Sequence, residues 1–70
     1  MRWINEDIKI TFPVPSILQN LFDEAEEADR KGNAEYSCIA DAIDVCCKGM
    51  VATGEFGQAE WDLICRRYPQ

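Results

Sequence analysis

No histidine occurs in this chain, and seven lysines and arginines stand against thirteen aspartates and glutamates. The missing imidazole removes the usual general base of a cysteine or serine nucleophile, and the commonest nitrogen ligand of a zinc site. The shortage of cations, with a formal charge of −6, opposes direct binding to nucleic-acid phosphates, whose affinity comes from lysine and arginine displacing counterions. No apolar run approaches the roughly 20 residues needed to cross a bilayer. Glu6 and Asp7 stand where a secretory signal would carry apolar side chains, so the expected location is cytoplasmic and no membrane partner is expected. A glycine-rich phosphate loop is absent. Asp41 and Asp44 lack the alternating oxygen ligands and the glycine of a calcium-binding EF-hand loop. Internal repeats and low-complexity tracts are absent too.

The four cysteines, Cys38, Cys46, Cys47 and Cys65, contain no C-x-x-C pair. Cys46 and Cys47 are adjacent, so on a helix they point about 100° apart and cannot comfortably chelate one ion. A four-cysteine site would need Cys38 from the opposite side of the same helix. In a reducing compartment these residues read as free thiols, with Cys46, Cys47 and Cys65 as small core fillers. Cys38, near a helix start, reads as an exposed inert thiol. No metal, cofactor or catalytic residue is expected, and a chain of 70 residues has little room for an enclosed substrate pocket.

What the sequence does contain is helical periodicity around one central segment, residues 33–54. Tyr36, Ile39, Ala40, Ile43, Cys47, Met50 and Val51 recur at i, i+3, i+4 and i+7, which places them on one face at about 100° per residue. Asn33 suits the N-cap and Gly54 the left-handed C′ position. Gly49 interrupts this helix at a cost of about 1 kcal/mol relative to alanine. Its expected reason is a close backbone crossing or a local bend.

An earlier helix over 16–31 is expected to open on a Ser16–Gln19 capping box and to close at Gly32. Leu18, Leu21, Phe22, Ala25 and Ala28 share its apolar face. Acid-first pairs Glu26–Arg30, Glu27–Lys31, Asp44–Lys48 and Asp62–Arg66 have the favoured i,i+4 orientation. A last helix runs from about 58 to 68, with Trp61, Ile64, Cys65 and Tyr68 buried and Pro69 stopping it. Gly57 and Glu60 have capping-box spacing without the cap hydroxyl. Phe56 is expected to turn inward as an anchor.

Residues 1–12 form the least helical part. Ile8, Ile10 and Phe12 alternate with Lys9 and Thr11, the period of a half-buried strand, before Pro13 and Pro15 end it. Such an arm must satisfy its backbone as a hairpin with Trp3 and Ile4, with a second copy of the chain, or extended across the helices. The expected architecture is therefore one mainly α domain: a three-helix unit, helices about 16–31, 34–53 and 58–68, preceded by an N-terminal extended or β arm. Its core is expected at Leu18, Leu21, Phe22, Ala25, Tyr36, Ile39, Ile43, Cys47, Met50, Trp61, Ile64 and Tyr68.

The order Gly32-Asn33, Tyr36, Ile39-Ala40-Asp41, Ile43-Asp44 and Cys46-Cys47-Lys48, with the ending Trp61 to Tyr68, resembles small acidic helical proteins of bacterial phages and conjugative elements. The resemblance covers the second and third helices and implies a cytosolic accessory protein with no active-site residue to transfer.

Two functions compete. The first is a non-enzymatic protein–protein interaction module that self-associates or docks on one partner, with Trp3, Ile8, Ile10, Phe12, Val45 and Leu63 as its interface. The alternative is an acidic inhibitor, or nucleic-acid mimic, that occupies a basic partner surface with Asp23, Glu24, Glu26, Glu27 and Asp29.

Overall fold

The computed structural model describes residues 3–70; Met1 and Arg2 of the expected arm lie outside the described residues. Three helices follow the arm: α1 (Ser16–Lys31), α2 (Tyr36–Ala52) and α3 (Gln58–Arg67). No strand occurs among the described residues.

Helix α1 starts one residue earlier than a serine cap would set it. Pro15, at φ −61° and ψ 155°, already has the extended conformation an N-cap needs. Its carbonyl accepts the N–H groups of Leu18 and Gln19 at 3.1 and 3.0 Å. Ser16 thus becomes the first helical residue, no side-chain cap bond forms, and the Gln19 amide donates to Asp23 at 3.1 Å instead. The C-terminus is as expected: Gly32 has φ 66°. The N–H of Gly32 bonds the Asp29 carbonyl at 3.1 Å and that of Asn33 the Ala28 carbonyl at 2.8 Å, the paired bonds of a Schellman ending.

Residues 32–35 turn the chain back so that α2 packs along α1. Asn33 is not the N-cap: α2 starts at Tyr36 with Glu35 in the cap position and no side-chain cap bond. Asn33 Oδ1 instead accepts the Glu35 N–H at 2.9 Å in the turn before the helix. Gly54, at φ 80°, repeats the Schellman pattern at the far end. Its N–H reaches the Val51 carbonyl at 3.2 Å, while the Glu55 N–H reaches the Met50 carbonyl at 2.9 Å. Gly57 has no cap oxygen to offer, so only the reciprocal half of its capping box forms, its N–H donating to Glu60 Oε1 at 2.8 Å.

The core is a single cluster of Leu18, Phe22, Ala25 and Ala28 from α1, Tyr36, Ala40, Ile43, Cys47 and Met50 from α2, and Ile64 and Tyr68 from the α3 end. Leu21, Ile39, Cys46, Phe56 and Trp61 pack against it half-buried. Ile4, outside the expected core, is buried as well.

Within the single chain the arm lies across the helices, and no hairpin ladder forms among the described residues. The Trp3 ring stacks on Tyr36 at 5.0 Å and 13°, and its backbone N–H donates to Asp29. The Asn5 N–H bonds the Arg67 carbonyl at 2.9 Å. A turn over 5–8 forms, with the Asp7 N–H on Asn5 Oδ1 at 3.1 Å, but no ladder follows it. Phe12 meets Phe56 at 6.0 Å, so Phe56 does anchor inward. The radius of gyration of 11.4 Å sits near the roughly 11 Å of a compact chain this long, which leaves no room for a projecting arm.

Gly49 does not mark a close crossing. It is exposed, and a Cβ built there would meet nothing within 4 Å.

Candidate functional site

The residues read as an acidic contact face divide into two groups in the structure. Asp29 is 1% exposed and accepts the Trp3 N–H, so it is a tether for the arm rather than part of any contact face. Glu26 is half-buried. Instead of pairing with Arg30 it accepts the Tyr68 hydroxyl at 3.0 Å and lies 3.8 Å from the Arg67 guanidinium. Helical spacing gives the angle of a side chain about the axis, but not what stands opposite. The arm and the α3 end, both distant in sequence, decided these two positions.

Asp23, Glu24 and Glu27 are exposed and line a groove between α1 and α2 together with Glu35, a carboxylate that the helical pattern of α1 alone does not reveal. Ala28 and half-buried Ile39 form its apolar floor. The cation in the groove, Lys31, is tied to Glu27 at 3.2 Å, and Arg30 binds the same carboxylate at 3.1 Å. These partners hold the Glu27 carboxyl below the usual range, the Lys31 hydrogen bond first and its charge second. Exposed pairs of this kind contribute little to stability, yet they consume the local positive charge. Glu24 and Glu35 make no ion pair with another described residue. The groove is therefore net negative over an apolar strip.

Most of the expected apolar interface is turned at least partly inward. Trp3, Ile10 and Phe12 are packed against the core, and Ile8 is half-buried with its carbonyl accepting Arg67 Nη1 at 2.7 Å. Leu63 is half-buried on α3. Val45, at 62%, remains exposed on α2. Ile17 is also exposed, at 64%; helical periodicity does not mark it, because its neighbours Leu18 and Leu21 account for the apolar face of its helix.

The cysteines occupy different environments. Cys47 is fully buried, Cys46 and Cys65 are half-buried, and Cys38 is exposed. Burial raises the Cys47 thiol to about 12, and burial followed by a hydrogen bond to Asp44 raises that of Cys65 to about 11. Burial also pushes Cys46 up. At neutral pH these three are thiols, not the thiolates that attack carbonyls or ligate metals.

Asp44, expected to pair with Lys48, instead joins two helices. Its Oδ1 accepts the Trp61 indole N–H at 3.0 Å and the Cys65 thiol at 3.3 Å. A signal was present in the sequence: a half-buried tryptophan needs an acceptor for its N–H, and Trp61 and Cys65 share a face at i,i+4.

Among the described residues no three histidine, cysteine, aspartate or glutamate side chains converge as a metal site, and no helix is long and apolar enough to cross a membrane. Comparison with protein-family models, curated proteins and solved structures returned no match.

Proposed function

We propose that this chain is a non-enzymatic interaction module that docks on a basic surface of a protein partner through the α1–α2 groove. The observation that carries the reading is the groove itself: Asp23, Glu24, Glu27 and Glu35 surround Ala28 and Ile39, and the lysine among them is already paired. Carboxylates over an apolar strip suit a partner segment that presents lysine or arginine around an apolar side chain. The charges would steer encounter and set register, and the strip would supply buried area. A partner surface of that kind is also one that nucleic acid would occupy, so the module would compete with phosphates for it. The protonated thiols and the missing histidine support a role without covalent chemistry.

The test compares the full chain with an Asp23→Asn, Glu24→Gln, Glu35→Gln variant, each immobilised and exposed to extract of its own host. The expected result is a basic protein retained by the unmodified chain at low salt. It should be released as ionic strength passes the physiological range and be missing from the variant. Equal retention by both, or retention indifferent to salt, would sink the proposal.

A further inference from the structure

Residues 9–14 precede the first helix and bend at Phe12, and no main-chain group among them makes a hydrogen bond to another described residue. Ile10, Phe12 and Val14 turn toward the helices, while Lys9, Thr11 and Pro13 are exposed. The segment alternates packed and exposed side chains as a half-buried strand does, and its main-chain groups, unpaired among the described residues, are a template for another extended chain. One edge borders a groove of about 670 Å³. Its far wall is α1, through Ser16, Gln19 and Asn20, and Phe22 and Tyr68 also line it. Ile17, the most exposed large apolar side chain among the described residues, stands on the turn of α1 that supplies Ser16.

We propose that this edge is occupied by the same segment of a second copy of the chain, so that two arms pair antiparallel about a two-fold axis at Thr11. Two observations select a second copy over a foreign segment. Molecules that each carry a charge of −6 repel except where carboxylates are missing, and residues 8–22 contain none and include Lys9. The acid that borders the groove, Glu26, is engaged by Tyr68 and Arg67. A free strand edge is also self-complementary: under two-fold symmetry each donor row meets the acceptor row of its copy.

Pro13 then fixes the register. Were Thr11 to face its copy as a hydrogen-bonded pair, the next such pair would set Pro13 opposite Lys9 and demand an N–H that proline lacks. With Thr11 in the non-hydrogen-bonded position, Ile10 and the Phe12 of the other copy exchange bonds on both sides of the axis, and Pro13 need donate nothing. That register also places Ile10 beside Phe12, a favourable β-branched–aromatic cross-strand pair.

The proposal does not depend on the acidic groove, and neutralising Asp23, Glu24 and Glu35 should leave the dimer unchanged. It is tested on the full chain by sedimentation over a dilution series, with Thr11→Glu and Thr11→Val beside it. Two glutamates facing each other across the axis should raise the dimer dissociation constant by roughly tenfold or more, with the monomer melt unchanged. Valine, a good strand former, should retain the dimer. Amide exchange supplies a second readout: Ile10 and Phe12 should slow as concentration rises, and Thr11 should not. A monomer at every concentration, a dimer indifferent to Thr11→Glu, or protection of Thr11 in place of Ile10 and Phe12 would overturn it.

Discussion

Tyr36 and Tyr68 are both buried, yet their hydroxyls meet different fates. The Tyr68 hydroxyl donates to Glu26 at 3.0 Å and accepts from Arg67 Nε at 3.3 Å, whereas the buried Tyr36 hydroxyl has no hydrogen-bond partner among the described residues. Removing one member of a made bond leaves the other short, while removing an unpaired buried group relieves a desolvation cost. Tyr68→Phe should therefore lower stability by about 0.5–1.5 kcal/mol. Tyr36→Phe should leave it unchanged or raise it, and urea midpoints of the two variants decide the matter. A pH series tests the same groups. Burial first, then the Asp29 charge, raises Tyr36 from 10.0 to about 12. Burial raises Cys47 from 9.0 to about 12. An acid whose folded pKa exceeds its unfolded value holds its proton more tightly in the native state. Stability is then independent of that group below the unfolded pKa and falls as pH climbs toward the folded one. The melting temperature should hold to about pH 9 and decline above it, first through the thiols and then through the phenols. A flat profile to pH 11 would show that these groups are not shielded from water as the structure has them.

At the level of the helices, Gly49 is the position where sequence and structure make opposite demands. The glycine costs helix propensity, and the space around it would accept a methyl group without contact. Gly49→Ala should raise stability by about 1 kcal/mol, visible as an upward shift of the thermal midpoint. A lowered midpoint would mean that the backbone there needs glycine after all. The same contrast shows what could be read in advance. The three helices, both Schellman glycines and the apolar stripes are local patterns, set by neighbours within a turn, and the sequence states them directly. Pro15 displaced the Ser16 cap because two adjacent residues could both supply an extended entry, and the choice between them is made by backbone conformation. Asp44, Glu26 and Asp29 depart from their helical pattern for another reason. Each lies on a helix flank where burial depends on a distant partner: Trp61 and Cys65, Tyr68 and Arg67, or the Trp3 backbone. Of the candidate groove, the α1 carboxylates could be read from the sequence. Glu35 and the floor required the packing of two helices.

Across the whole molecule, the arm and the end of α3 form one closure. Arg67 has a side chain only 16% exposed, and its guanidinium donates to the Ile8 carbonyl at 2.7 Å and the Asn5 carbonyl at 3.5 Å. It also lies over the Tyr68 ring, 5.4 Å from its centroid. A chain of 70 residues has a thin core and a small stability margin, so the arm supplies part of what keeps the helices folded. Ile4 is in the core, and Trp3 covers Tyr36. Deleting residues 1–12 would consequently unfold the domain rather than report on its partners, and point changes must replace truncation in any interaction study. Arg67→Ala removes the clamp and leaves Ile4 and Trp3 in place. Lost hydrogen bonds to a charged group should cost about 1.5–3 kcal/mol. That loss should fall unevenly, with amide exchange accelerating first at Asn5 and Ile8, while the α1–α2 pair keeps its protection until global unfolding. Arg67→Lys should recover only part of the stability, because an ammonium cannot span two carbonyls and a ring as the planar fork does. Uniform acceleration throughout the chain would instead make the arm and helices one cooperative unit, with Arg67 as a part of the core rather than its latch.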